Sequence, residues 1–188
     1  MAAVATREQI VAAADRLFYH GGYEHTSFAD IAGAVGLSRG NFYYHFKSKD
    51  AILDAVIDAR LADTRRMLEQ WEAEAPTPAG RIMRYVEIVL TNRADIQDYG
   101  CPVGTLTTEL AKLEHAMLGQ AGRLFTLFRT WLREQFVLLE HAEQADELAM
   151  HVLAFSQGVA VMANAFHDEA FIQREVDRMR EWLHTYER

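Results

Sequence analysis

Proline is almost missing from this chain: two of its three prolines sit in Ala75-Pro76-Thr77-Pro78-Ala79-Gly80, and the third is Pro102. Proline breaks helices because it lacks the backbone N–H and its ring collides with the preceding turn. The stretches before, between and after these sites are therefore free to be helical. No segment alternates apolar and polar residues with β-branched enrichment, and no Asn-Gly or Asp-Gly pair offers a hairpin turn. The expected fold class is all-α, and with half of its 188 residues hydrophobic the chain can bury a sizeable core.

Apolar spacing and cap residues divide the chain into about nine helices. The first is expected over Thr6–His20, with Thr6 as its cap and Ile10, Ala13, Ala14, Leu17 and Phe18 on one face, stopped by Gly21-Gly22. A short helix starts at Ser27, with Asp30 completing a Ser-x-x-Asp capping box, and ends at Gly36. Ser38 caps a third through Phe46, and Ser48 a long fourth to about Glu74. Further helices are expected over 78–96, 102–113, 115–141, 145–167 and 169–186.

The segment from Ser27 to Phe46 has the internal logic of a helix-turn-helix. Ala32 permits close crossing, Gly36 can take the left-handed conformation of a tight turn, and Leu37 plugs the space between helices. Ile31, Val35, Phe42 and Phe46 complete a small core with Leu17 and Phe18, so the other face of the third helix presents Ser38, Arg39, Asn41, Tyr43, Tyr44 and His45. An Arg fork matches guanine and an Asn amide matches adenine, while Tyr, Lys and helix N-termini hold phosphates. Thr26 and Ser27 offer hydroxyl and N–H groups to a phosphate. A structural reading stands beside each: Ser27 and Ser38 as caps, Tyr43 as half core, Lys49 as a solvated lysine, His45 packed between helices.

The pattern Thr-Ser-Phe-x-x-Ile-Ala-x-x-Val-Gly-Leu-Ser-x-Gly-x-Phe-Tyr-x-His-Phe-x-Ser-Lys-Asp-x-Ile-Leu, beginning at Thr26, resembles the signature of the TetR family of transcriptional regulators. The resemblance implies a helix-turn-helix DNA-binding domain over 1–50 and a helical effector-binding and dimerisation domain over 51–188. It further implies a homodimeric regulator, read as a repressor, that occupies a palindromic operator and lets go when a small molecule binds the C-terminal domain. It places Tyr43, His45 and Lys49 near the phosphate backbone and Arg39 and Asn41 in the base-reading stretch, with Gly40, Tyr44 and Lys47 completing the DNA-binding set. Phe42 stands where Leu is commoner and Asn41 where Thr or Ala is, which bears on which operator is read.

A net charge of −8 speaks against nucleic acid in general, but its distribution is uneven. Residues 1–50 balance Arg7, Arg16, Arg39, Lys47 and Lys49 against Glu8, Asp15, Glu24, Asp30 and Asp50, so the excess acid lies beyond them. DNA contact is expected at one local edge.

In the remaining three quarters, an aromatic stripe of Phe125, Phe128, Trp131 and Phe136 lines either a ligand pocket or ordinary core. The pocket candidates are Tyr85, Val89, Cys101, Phe125, Phe128, Trp131, Phe155 and Met162. The stretch Gly100-Cys101-Pro102-Val103-Gly104-Thr105-Leu106 resembles the opening of the sixth helix in one subset of TetR-like proteins. Pro102 suits a first helical turn with Cys101 as cap, which leaves the thiol either a reactive sensor or a quiet structural residue. The last two helices are expected to form a four-helix dimer interface through Phe155, Val159, Met162, Phe166, Val176, Met179, Trp182 and Leu183.

One cysteine excludes a disulfide framework and a cysteine zinc site. His141, His151 and His167 have no metal-site spacing, so neither metal nor cofactor is expected. No apolar run approaches the roughly 20 residues that span a bilayer, and the first ten residues lack a signal peptide's pattern, which predicts a cytoplasmic protein. The chain shows no Ser/His/Asp arrangement or Gly-rich phosphate loop that would make it an enzyme. An all-helical enzyme or binding protein, or an interaction protein using its apolar C-terminal helices, would leave the Ser38-to-His45 surface unexplained.

Overall fold

The computed structural model describes residues 2–187, except for the side chains of residues 2–5, Arg39 and Glu169. Among the described residues there are eleven helical segments and no strand. They are α1 (Ala2–Gly21), α2 (Phe28–Ala34), α3 (Arg39–His45), α4 (Lys49–Glu74), α5 (Pro78–Val86), α6 (Ile88–Thr91), α7 (Arg93–Tyr99), α8 (Pro102–Lys112), α9 (Leu118–Leu138), α10 (Ala145–Phe166) and α11 (Glu169–His184).

Two boundaries depart from expectation. The first helix begins at Ala2, so Thr6 lies inside it and is not its cap. The single helix expected over 78–96 is three segments, broken at Glu87 and Asn92. Neither break has a proline or glycine. Instead the Thr91 hydroxyl and the Asn92 amide donate to the Glu87 and Ile88 carbonyls at 3.3 and 3.1 Å, giving those carbonyls side-chain partners within the run.

The chain forms two compact units, one up to Asp63 together with Thr105–Arg123, the other Thr64–Gly104 with Leu124–Arg188. In the first, α1 packs on α2 and α2 on α3. Ile10, Ala14, Phe18, Ile31, Phe42 and Phe46 are buried, with Ile52, Leu53, Val56 and Ile57 from α4 and Leu106 and Leu110 from α8.

The turn between α2 and α3 is built by a Schellman motif. Gly36 adopts φ +65°, its N–H reaches the Gly33 carbonyl at 3.1 Å, and the Leu37 N–H reaches Ala32 at 3.2 Å. At the start of α2, the Ser27 hydroxyl accepts the Asp30 N–H at 3.1 Å, and the Asp30 carboxylate accepts the Ser27 N–H at 2.8 Å. Hydrogen bonds from Ser27, side chain first and backbone second, hold the Asp30 carboxyl below its ordinary pKa. A depressed folded pKa means the capping contribution is present above the unfolded carboxylate pKa of about 3.9 and is lost as pH falls through the folded value. Acidification below about pH 4 is therefore expected to fray the start of α2, followed as an upfield move of the Ser27 amide proton in NMR spectra. Asp30→Asn should flatten that pH response, and an unchanged response in the variant would refute the assignment.

In the second unit, α10 packs against α6, α7 and α11, and α11 against α5 and α6. Its core joins Leu68, Ile82, Tyr85, Val86 and Val89 to Phe128, Trp131, Leu132 and Phe136 and to buried residues of α10 and α11. Polar groups inside are paired: the Tyr85 and Ser156 hydroxyls lie 2.9 Å apart, and the Trp131 Nε1–H donates to Glu72 at 2.7 Å. Burial pushes the Tyr85 phenol well above its ordinary pKa, so it stays neutral.

α10 is long and apolar enough to cross a membrane by length and composition alone, a test that the core helix of a soluble protein also passes, and 44% of its most apolar window is buried in the chain. Polar residues such as His151 and the pair Ser156-Gln157 interrupt its sequence without making the helix polar as a whole. Its buried face is core, and the rest of its apolar surface lies open.

Candidate DNA interface

Two helical faces decide what α3 can touch. Phe42 is fully buried, edge-on to Phe28 at 4.6 Å, and Phe46 is 3% exposed. That anchoring turns Gly40, Asn41, Tyr43 and Tyr44 outward, with His45 half-buried. Tyr44 is the most exposed aromatic of the helix at 73%, while Tyr43 at 39% rests against the Phe28 ring at 4.8 Å. Ser38 caps α3, accepting the Asn41 N–H at 3.4 Å. The backbone of Arg39 is in the first turn of α3, and its side chain lies outside the described residues.

Both lysines after α3 are engaged with backbone carbonyls. Lys47 Nζ donates to the Tyr43 carbonyl at 2.6 Å, closing the last turn of α3. Lys49 Nζ donates to the Tyr23 and Glu24 carbonyls at 2.9 and 3.4 Å and lies 4.2 Å from the centre of the Tyr23 ring. The ammonium that the sequence reads as a phosphate contact or a merely solvated group thus also fastens the turn between α1 and α2. Three donors on an ammonium leave room for a phosphate beside two carbonyls.

Thr26 is a correction. It is 5% exposed, and its hydroxyl donates to the Gly22 and Leu17 carbonyls at 2.7 and 3.2 Å, so it ties the turn together from inside instead of facing a phosphate. Ser27 is exposed at the start of α2.

Tyr23 was not among the sequence candidates, yet it is the hub of this edge. It is 2% exposed, packs on Phe18 at 5.3 Å, and donates its phenol to Asp50 at 2.5 Å. Burial first, then the Asp50 hydrogen bond, drives its pKa far above the ordinary phenol value. Asp50 lies 27 positions away along the chain, and no local spacing announces it.

The other predicted residues fall in the second unit. Tyr85, Val89, Phe128 and Trp131 are core, with Cys101, Phe125 and Phe155 packed against it. Met162 is 40% exposed and does not join them. Cys101 accepts the Gly104 N–H at 3.4 Å, as expected of a cap, and the Gln157 amide lies 3.5 Å from its sulfur. Of the expected interface residues, Val159, Val176, Met179 and Leu183 are 5% exposed or less, because their side chains already fill the chain's own core. Phe155 and Trp182 are half-buried, while Met162 and Phe166 are open.

Residues 10–56, the span holding α2, α3 and the start of α4, match the family described as bacterial regulatory proteins, tetR family. The chain is 25% identical, over 99% of its length and 90% of the relative's, to the HTH-type transcriptional repressor DhaR of Mycobacterium sp. strain GP1. It is 26% identical to an uncharacterized HTH-type transcriptional regulator in the lacX 3' region of Lactococcus lactis, over 93% and 91% of the two chains. Its fold superposes on a TetR-family transcriptional regulator from Cytophaga hutchinsonii with TM-score 0.84, at 18% identity over 98% and 96% of the chains. Residues 10–56 form a DNA-binding domain of the tetR family, and the chain as a whole is similar to HTH-type regulators and to TetR-family structures. It is a DNA-binding transcriptional regulator of TetR type, not an enzyme.

On a DNA-binding domain of tetR type, the outward residues of α3 carry groups whose chemistry suits DNA. Asn41 supplies a donor and an acceptor suited to a base edge, and Tyr43 and Tyr44 supply hydroxyls.

Proposed function

We propose that this regulator is a homodimeric repressor that holds a palindromic operator and is released by a small molecule bound in its second unit. The observation that carries the dimer is the open face of α10. Val161, Met162 and Phe166 are 59, 40 and 73% exposed, and Ala154, Gly158 and Ala165 lie in the open around them. A Cβ at Gly158 would meet nothing within 4 Å, so the chain's own packing does not require a glycine there, whereas a closely approaching partner helix would. A two-fold pair of recognition helices suits successive major grooves about 34 Å apart. Repression is supported by the name of the Mycobacterium relative. The protein then works in the cytoplasm, where the chromosome is.

In this reading, Arg39 and Asn41 read bases from residues 1–50, while Ser27, Ser38, Gly40, Tyr43, Tyr44, His45, Lys47 and Lys49 line the backbone. Residues 51–188 serve the effector and the dimer. The effector site is built around Tyr85, Val89, Phe125, Phe128, Trp131 and Phe155, whose largely aromatic lining and one buried hydroxyl pair suit a mainly apolar ligand with a single hydrogen-bonding group.

Selection from random duplexes at moderate salt tests the function. The expected product is an inverted repeat with half-sites about one helical turn apart. Failure to enrich any sequence would refute operator binding. Lys47→Ala should lower the salt slope of binding by about 0.9 for each phosphate left unneutralised, across all sequences. Arg39→Ala should instead relax specificity at one or two base pairs. Uniform losses from both would end that division of roles.

A further inference from the structure

Glu109 sits on α8, far from the helix-turn-helix in sequence, yet both oxygens of its carboxylate are bound to the turn that precedes it. Its Oε2 accepts the Tyr23 N–H at 2.9 Å and its Oε1 accepts the Glu24 N–H at 2.8 Å. From the opposite side, Lys49 holds the carbonyls of the same two residues. The turn is thus gripped by an anion on its donors and by a cation on its acceptors. Gly22, at φ +83°, makes room for the grip: a Cβ there would lie 3.1 and 3.3 Å from the two carboxylate oxygens. Below, Tyr23 reaches Asp50, and the His115 ring stands edge-on to Tyr23 at 5.1 Å.

The turn sets where α2 begins. The Thr26 hydroxyl binds the Gly22 carbonyl, Ser27 follows as the cap of α2, and α2 fixes α3 through the Gly36 turn. Moving Tyr23 and Glu24 therefore shifts both helices that face DNA.

We infer that Glu109 is a positioning residue of the DNA interface: it touches no DNA, and by clasping the Tyr23 and Glu24 amides it holds α2 and α3 in the pose that fits the operator. This rests on the DNA-binding function of the chain. A glutamine at 109 keeps one carbonyl oxygen but turns an NH₂ toward the second amide, so one donor is left without its partner.

The experiment uses the full chain and a duplex that the wild-type protein selects from random sequence, with fluorescence anisotropy on that duplex and on a scrambled one. Glu109→Gln and Glu109→Ala are expected to weaken operator binding roughly tenfold or more, the scale of a charge-assisted hydrogen bond, with little change on scrambled DNA. The salt slope should stay that of the wild type, since the same phosphates are neutralised. The Tyr23 and Glu24 amide protons should move upfield and exchange faster. Gly22→Ala should weaken binding in the wild-type background and by less in Glu109→Ala, because the clash with the carboxylate disappears while the backbone strain remains.

Equal losses on operator and scrambled DNA, in step with the unfolded fraction, would reduce Glu109 to a stabilising residue and overturn the inference. Unchanged operator affinity in Glu109→Gln would do the same. If the wild-type protein selects no duplex, the DNA function fails first, which a failure of Glu109 alone would not produce.

Discussion

Phe42→Ala is expected to destabilise the first unit by about 3–5 kcal/mol, the cost of emptying a fully buried phenylalanine site. Phe42 has no exposed surface and meets Phe28 edge-on, and Phe28 in turn supports Tyr43. The cavity would open beneath the DNA-facing side of α3, so loss of stability and loss of operator binding should come together. Against a domain stability of about 5–15 kcal/mol, such a cost removes between about a fifth and the whole of it. Urea titration followed by circular dichroism measures the first effect and anisotropy on a selected duplex the second. Tyr44→Ala is the contrast: at 73% exposure it should change stability by less than about 0.5 kcal/mol while still weakening DNA binding. Equal stability losses in the two variants would contradict the inward and outward assignment of α3.

Val161→Arg combined with Phe166→Arg carries the second large expectation. Both side chains are more than half exposed in the single chain, so arginine there costs the protomer little. Facing their counterparts across a two-fold axis, the same arginines would oppose like charge. Light scattering at micromolar concentration should then report a mass near 21.4 kDa instead of twice that. Operator affinity should fall by roughly 10²–10⁴-fold, the avidity that disappears when two linked half-sites are bound singly. A dimeric mass that survives both substitutions would move the interface off this face of α10.

The parts of this molecule legible in sequence are those written within a few residues. Ser27 and Asp30 cap α2, Ser38 caps α3, and Gly36 takes the left-handed turn, because each signal and its target lie within about one helical turn. The outward set on α3 follows from helical spacing alone. The break of the 78–99 region is hidden, since neither Glu87 nor Asn92, where the segments part, is marked by Pro or Gly. The Tyr23 hub is hidden for another reason: Asp50, Glu109 and His115 converge on it from two other parts of the chain, and burial of a tyrosine has no signature in its neighbours. The C-terminal interface residues illustrate a third kind of error. Apolar spacing marks Val159, Val176, Met179 and Leu183 as buried, but cannot say whether the chain itself or a second copy buries them.

The compact unit that reads DNA is interrupted in sequence, closing with residues 105–123 after a gap that begins at Thr64. Its core draws on Leu106 and Leu110, and its turn on Glu109. During synthesis at roughly 5–20 residues per second, α1 to α3 emerge from the ribosome seconds before these partners exist. A nascent head without them lacks part of its interior and one side of its grip on Tyr23 and Glu24. Competence to read DNA is thereby expected only after residues 105–123 have been made, and chains truncated before residue 105 are expected to compete poorly for the operator.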